Sequence, residues 1–258
     1  MEKKWRLILE AKKDGFYNMA VDNTLFLCFS QQRVPTLRIY SWQNPFITLG
    51  YHQKIDFLIS KSFPLTRRIT GGGAILHYQE LTYSLVCSLE DLDLPYSPKK
   101  TYQVLSSFLF CFYQKLGLKP YFAKDVFKEN LIGNRNFCYS WWEEFDIVIE
   151  RKKIGGNAQR RRKNYLFQHG SIPQKIDFSL ISIVIKGVDD LEKKSICLDS
   201  LLKRNTDFFY LSSLLVSSFK EVFKIDFIES YLSEKEKETL NEQLKNAKNF
   251  FKEATLDK

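Results

Sequence analysis

Cys138 stands in Asn136-Phe137-Cys138-Tyr139-Ser140-Trp141-Trp142, fifteen residues before Lys153. A cysteine attacks carbonyl carbon as its thiolate, and a nearby ammonium favours that form. The separation spans a loop and one strand-like run, enough chain to fold back and bring thiol and ammonium together. A second candidate is Thr66-Arg67-Arg68-Ile69-Thr70-Gly71-Gly72-Gly73-Ala74-Ile75-Leu76-His77. Three successive glycines leave the backbone bare, so it can approach a ligand closely or take a positive φ. No Gly-Lys-Ser/Thr follows and the Gly-x-Gly-x-x-Gly spacing is missing, which excludes a P-loop and a dinucleotide fingerprint. Further on, Ile154-Gly155-Gly156-Asn157-Ala158-Gln159 separates two basic runs. Four small residues there suggest that something packs against the backbone. Phe167-Gln168-His169-Gly170-Ser171-Ile172 adds another histidine beside a glycine. Taken singly, each has a plainer reading: a tight turn, a solvated hairpin tip, a structural histidine.

These groups need a folded core to hold them. The chain has 258 residues, of which 15% are aromatic and 44% hydrophobic, enough apolar surface to offset the entropy of ordering. The five cysteines are widely spaced and odd in number, without a Cys-x-x-Cys, so neither a disulfide framework nor a zinc site is expected. No metal ligand set stands out. The start Met1-Glu2-Lys3-Lys4 leads into a short alternating run rather than a secretory signal, and no apolar stretch is long enough for a membrane span. Cytoplasmic location and no membrane partner are therefore expected. The net charge of +9 calls for an acidic partner. From Glu150 to Lys163 there are seven positive charges and one negative, so most of that excess lies in one window.

Periodicity predicts interleaved strands and helices, an α+β class with a mixed or antiparallel sheet flanked by helices. Trp5–Leu9 reads as a strand and Gly15–Ser30 as a helix. Thr36–Tyr40 and Phe46–Leu49 read as a strand pair across Trp42-Gln43-Asn44-Pro45. Leu81–Cys87 is a strong β run, Lys99–Leu116 one long helix, and Phe145–Glu150 and Tyr165–Ile172 further strands. After about residue 180 the pattern turns helical, and Ser233-Glu234-Lys235-Glu236 is a capping box.

The order RRITGGGAILH, KKIGGNAQ, QHGSI resembles the lipoate-protein ligase and octanoyltransferase family, which shares its fold with biotin-protein ligases. Asn18–Asp22 and Thr48–Gln53 also look like family segments, and the resemblance runs from about Trp5 to Ile172. It implies a biotin/lipoate ligase-type catalytic domain over 1–180 and a mainly helical extension of it over 181–258. Gln79–Ser84 after the histidine, and Cys138 in register before Lys153, are similar to the cysteine-dependent octanoyltransferase branch. By resemblance, Cys138 is then the acyl-accepting nucleophile and Lys153 supports its thiolate. Arg68, Gly71, Gly72, Gly73, Ala74, His77, Gly156, Asn157, Ala158, His169 and Gly170 become substrate-binding residues. Octanoyl-acyl carrier protein is the implied donor, and the acceptor is a lysine of a lipoyl-domain protein, the glycine cleavage H protein or an E2 subunit. No cofactor is needed for such a transfer.

Gly73 stands where many such transferases carry arginine, as in ATP-dependent ligases. An ATP- and Mg-using lipoate-protein ligase therefore stays open at this point, as does an amidotransferase moving octanoyl between lipoyl-domain proteins. A basic nucleic-acid-binding module is disfavoured, because the aromatics follow a core pattern and do not interleave with the basic runs. A monomer is expected.

Overall fold

A computed structural model describes residues 4–60, 63–127, 136–188 and 190–256. The charged start Met1–Lys3 lies outside these residues. Strand β1 (Lys4–Lys13) leads through the Asp14 cap, which accepts from the amides of Phe16 and Tyr17, into helix α1 (Gly15–Gln32). Then come β2 (Thr36–Trp42), β3 (Phe46–Leu49), β4 (Leu65–Arg67), β5 (Ile75–His77) and β6 (Glu80–Ser88). Helices α2 (Pro98–Leu105) and α3 (Ser107–Lys115) precede the short β7 (Tyr121–Phe122) and α4 (Ala123–Val126). A 3-10 turn at Cys138–Ser140 is followed by β8 (Ile147–Ile149), β9 (Lys152–Lys153), β10 (Gly156–Arg162) and β11 (Tyr165–Pro173). The remainder holds α5 (Phe178–Val184), α6 (Leu191–Lys194), α7 (Leu198–Leu202), α8 (Phe208–Phe223), β12 (Asp226–Glu229) and α9 (Glu234–Leu256).

Six strands form one mixed sheet in the order β10-β11-β6-β2-β1-β12. The first four pair antiparallel, while β2/β1 and β1/β12 are parallel. Two three-stranded sheets, β4-β3-β5 and β7-β8-β9, complete the β structure. The expected mixed sheet flanked by helices is thus present. Alternation divides the large sheet into two faces. Trp5, Leu7, Leu37, Ile39 and Leu85 pack with Phe108, Leu109 and Phe112 of α3 and Leu211, Leu215 and Phe219 of α8. On the other face Ile8, Val86 and Phe167 pack with Val21, Leu25, Phe26 and Phe29 of α1.

Two expected elements differ. Thr36–Tyr40 and Phe46–Leu49 are not a hairpin: β2 stays in the large sheet and β3 pairs with β4 and β5. Pro45 has no N–H for a ladder, and Trp42 stacks on Phe46 at 5.7 Å, turning the chain from one sheet into the next. The helix over Lys99–Leu116 is interrupted at Ser106. There the hydroxyls of Ser106 and Ser107 donate back to the carbonyls of Tyr102 and Val104, competing with the helical ladder.

The C-terminal part belongs to the same architecture, since β12 extends the sheet beside β1 and α9 lies along α1. Its capping box is closed at both ends: the Ser233 amide donates to Glu236 Oε2 and the Glu236 amide to Ser233 Oγ. Glu236 also accepts two bonds from Arg6, at 2.6 and 2.7 Å. Burial pushes the Glu236 carboxyl up, but Arg6 and the cap outweigh it and hold the group below its usual range. A folded value below the unfolded one stabilises above about pH 4.3, and that stabilisation is lost as pH falls through the folded value. Glu236→Gln should therefore lower unfolding free energy by about 2 kcal/mol at pH 7. Urea titrations should show the difference from the parent shrinking below about pH 4.

Candidate active site

Cys138 is held by backbone before it is held by anything else. Its N–H donates to the Ala74 carbonyl at 2.9 Å, and the Ala74 N–H donates to the Asn136 carbonyl at 2.8 Å. The segment after the glycine run therefore carries the cysteine turn as a short parallel bridge. Behind the turn lies Lys153, only 4% exposed in its side chain. Its three ammonium protons have three acceptors: Asp146 Oδ2 at 2.7 Å, the Cys138 carbonyl at 3.0 Å and the Trp141 carbonyl at 3.2 Å. The ammonium thus bonds the backbone of the cysteine turn. Burial alone would push Lys153 down, yet Asp146, with a contribution from Cys138, holds it above its ordinary value.

The sulfur faces the sheet. A Cβ on Gly156 would lie 2.6 Å from Cys138 Sγ, so this close approach depends on glycine. Around it opens a slot walled by Arg68, Gly71, Gly72, Gly156, Ala158, His169 and their neighbours. Gly72 has φ of 92°, which glycine takes without strain. Its turn folds the loop over Arg68, whose Nη2 donates to the carbonyls of Gly71 and Gly73, both at 2.7 Å. Arg68 Nη1 donates to Thr48, and no carboxylate pairs with this guanidinium among the described residues. Burial pushes it down to about 10, so it stays charged at neutral pH.

Both histidines are built into the floor. His77 meets Thr48 Oγ1 at 2.7 Å and Glu80 Oε1 at 2.8 Å, and stacks on Trp42 at 4.0 Å. His169 meets Thr70 Oγ1 at 2.7 Å, and its Nδ1 lies 3.6 Å from Asp22 Oδ2. Asp22, in turn, accepts from Arg38, Tyr40 and Ser84.

Ten of the expected residues line this one slot: Arg68, Gly71, Gly72, His77, Cys138, Gly156, Asn157, Ala158, His169 and Gly170. Gly73 and Ala74 stand outside its wall, one bonded to Arg68 through its carbonyl and the other to the cysteine segment. Lys153 stands behind the turn. Met19, Tyr40, Ile75, Thr82 and Ser171 also line the slot and escaped the sequence reading, as did Asp146. Asp146 was readable: it lies seven residues before Lys153, across what becomes the β8/β9 hairpin. Tyr40, Thr82 and Ser171 sit in strands that read as ordinary core, and only the sheet register brings them here.

Asp146→Asn should cost about 3–5 kcal/mol at pH 7, because it strands a buried ammonium. The raised folded value means Lys153 contributes stability below about pH 10.4 that is lost as pH rises through the folded value. The deficit measured by denaturation should accordingly narrow in strong alkali. Gly156→Ala should push Cys138 Sγ from its place. Alkylation of Cys138 by iodoacetamide should change by at least about tenfold while the melting temperature moves by only a few degrees.

The family profile described as lipoyl protein ligase A/B catalytic domain matches residues 14–220. A Bacillus cereus protein named octanoyltransferase LipM is 36% identical over 187 residues, covering 68% of this chain and 67% of its own. The Staphylococcus epidermidis protein of the same name is 29% identical over 262 residues, covering 94% and 95%. Among solved structures, a lipoate-protein ligase A bound with ATP superposes with a TM-score of 0.76 over 94% of both chains. At 23% identity that likeness speaks for the fold. Sequence, fold and the assembled slot agree, and the chain belongs to the lipoyl protein ligase A/B catalytic domain family.

Proposed function

We propose that this chain is an octanoyltransferase of protein lipoylation that works through a thioester on Cys138. The observation that carries the reading is the seating of Cys138: its sulfur opens into the slot against bare Gly156, on a turn pinned by a buried ammonium. The octanoyltransferase names of the relatives supply the acyl group.

The donor is octanoyl-acyl carrier protein, whose phosphopantetheine arm presents a thioester. Cys138 thiolate bonds to the carbonyl carbon, the carbon–sulfur bond to pantetheine breaks, and the pantetheine sulfur leaves as a thiolate that takes a proton from solvent. One difficult acyl transfer becomes two easier ones. A lysine amine of a lipoyl-domain acceptor, an H protein or an E2 subunit, then attacks the acyl-enzyme to give a stable amide. The thioester is already activated, so ATP has no part in either step. Arg68, buried without a carboxylate, favours negative charge on sulfur and on the developing oxyanion. Gly71 and Gly72 leave room for two successive arms; a Cβ on Gly71 would meet nothing within 4 Å.

The test is intact mass after mixing with octanoyl-acyl carrier protein and no ATP. An octanoyl adduct should map to Cys138, be released by neutral hydroxylamine as a thioester is, and be absent from Cys138→Ser. Product formation that requires ATP and free octanoate, and persists in Cys138→Ser, would replace this reading with the ligase one. The rate at low substrate should fall steeply with added salt, because basic Arg160–Lys163 attracts acidic carrier domains.

A further inference from the structure

The second half of the reaction has a requirement that the first does not. A thiolate attacks the donor, and a thiolate can leave. A lysine, with an ordinary pKa of about 10.4, enters as an ammonium and must lose protons to become an amide nitrogen. On the proposed acyl-transfer reading, which this inference rests on, the slot therefore needs a proton acceptor near the sulfur.

The sheet register puts a histidine there. In the β10/β11 ladder Gly156 is paired with Ser171 and Ala158 with His169. Opposite residues project to the same face, and steps of two preserve it. The Gly156 Cβ direction points at Cys138 Sγ, so the His169 side chain lies on the sulfur's own face, one row along the ladder. At about 3.4 Å per residue that is roughly 7 Å of strand, within reach of an amine bonding to a carbonyl on the sulfur. His169 also lines the slot. The other histidine is held more tightly, clamped at both ring nitrogens and stacked on Trp42.

The surroundings of His169 suit a base that rests neutral. From α1, Asp22 faces Nδ1; from the glycine loop, Thr70 faces Nε2 and Arg68 lies nearby; β2 contributes Arg38 and Tyr40, β6 Ser84, and β5 His77. Burial pushes the imidazole down, Asp22 pulls it up, and Arg68 and His77 push it down again; the balance lies below the ordinary histidine value. The lone pair is then available at neutral pH, and Asp22 stands ready to stabilise the imidazolium once it forms.

We propose that His169, backed by Asp22, accepts the proton from the acceptor lysine during its attack on the acyl-Cys138 thioester. The entering ammonium gives its first proton to solvent, and the resulting amine replaces the Thr70 hydroxyl at Nε2. Its nitrogen bonds to the carbonyl carbon, the bond from that carbon to Cys138 Sγ breaks, and the proton shed by nitrogen passes to Nε2 and then to the departing sulfur. The imidazole and the thiol are both restored.

The two half-reactions separate the possibilities. Parent, His169→Gln and His169→Asn are loaded with octanoyl-acyl carrier protein, and the acyl-enzyme is followed by intact mass. It is then discharged with a lipoyl-domain protein or with hydroxylamine, a nucleophile unprotonated at neutral pH. Loading should stay within a few-fold of the parent. Discharge to lysine should fall at least about 100-fold and recover in part as pH rises, while discharge to hydroxylamine keeps the parent rate. Lysine discharge at the parental rate, or equal slowing with both nucleophiles, overturns the role of His169. Failure of the parent to load at all overturns the octanoyltransferase reading itself.

Discussion

Lys153 carries a full positive charge into a place where almost none of its side chain meets water, and the geometry of the Cys138 turn follows from how that charge is accommodated. An unpaired ammonium there would cost several kcal/mol. Asp146 supplies the countercharge, and the carbonyls of Cys138 and Trp141 take the other two protons, one from each side of the 3-10 turn. The dependence runs both ways. The charge is tolerated only when the turn is in place, and the turn is fixed because the charge demands those carbonyls. The β8/β9 hairpin sets this up: it turns through Glu150 and Arg151, both at positive φ, 51° and 60°. Such a turn fits the twist of paired strands but is usually left to glycine or asparagine. The register it enforces, Val148 against Lys153, delivers the lysine to Asp146.

A second buried charge system underlies the slot from the α1 side. Arg38 is fully buried, yet its guanidinium meets Glu10, Asp22 and both the carbonyl and side chain of Asn18. Those bonds tie the first helix to the sheet and present Asp22 to His169 in a fixed position. Arg68 contrasts with Arg38: it has only neutral oxygens as partners. One wall of the slot is therefore positive, with the matching carboxylate one layer back behind an imidazole. Dipoles and charges held in advance in this way favour negative charge where a carbonyl becomes tetrahedral, and they need no rearrangement when it does.

How much of this was legible depends on the range over which each feature is determined. The glycine run, Gly156, His77 and His169 were visible because bare backbone and imidazole stand out in any sequence window. Their convergence on one slot was carried by the ordered set of motifs, since no local pattern says that β11 lies beside β6. Strands Leu81–Cys87 and Tyr165–Ile172 were plain from their β-branched and aromatic content, and the structure extends each by a residue or two. The break at Ser106 was missed because an apolar stripe continues straight through it, while two hydroxyls decide the backbone. The departure of β3 into a second sheet was missed for a related reason: β3 is wholly buried and β2 nearly so, with only Ser41 partly exposed, so alternation gives no hint of which sheet each joins. Asp22 was invisible as a partner because burial of a carboxylate is a tertiary fact, whereas Asp146 could have been found from its spacing to Lys153 across the β8/β9 hairpin.

The basic window divides once the fold is known. Lys153 alone in it is ion-paired among the described residues, and its charge is neutralised locally by Asp146. Arg151 and Lys152 belong to the β8/β9 hairpin, while Arg160, Arg161 and Arg162 stand on β10, an edge of the large sheet, with Lys163 next to them. Successive arginines point to opposite faces: Arg160 donates to the Ile69 carbonyl and lies over Tyr51, whereas Arg161 donates to the Tyr96 carbonyl. Both bond only neutral acceptors and so keep their charge. An exposed edge invites pairing with another strand, and a row of like charges discourages it. Because Gly156 at the start of this same strand touches the cysteine, the charges that protect the edge also concentrate positive potential along the approach to the slot. Edge protection and positive potential beside the slot then come from the same residues, and neither requires a side chain inside the slot.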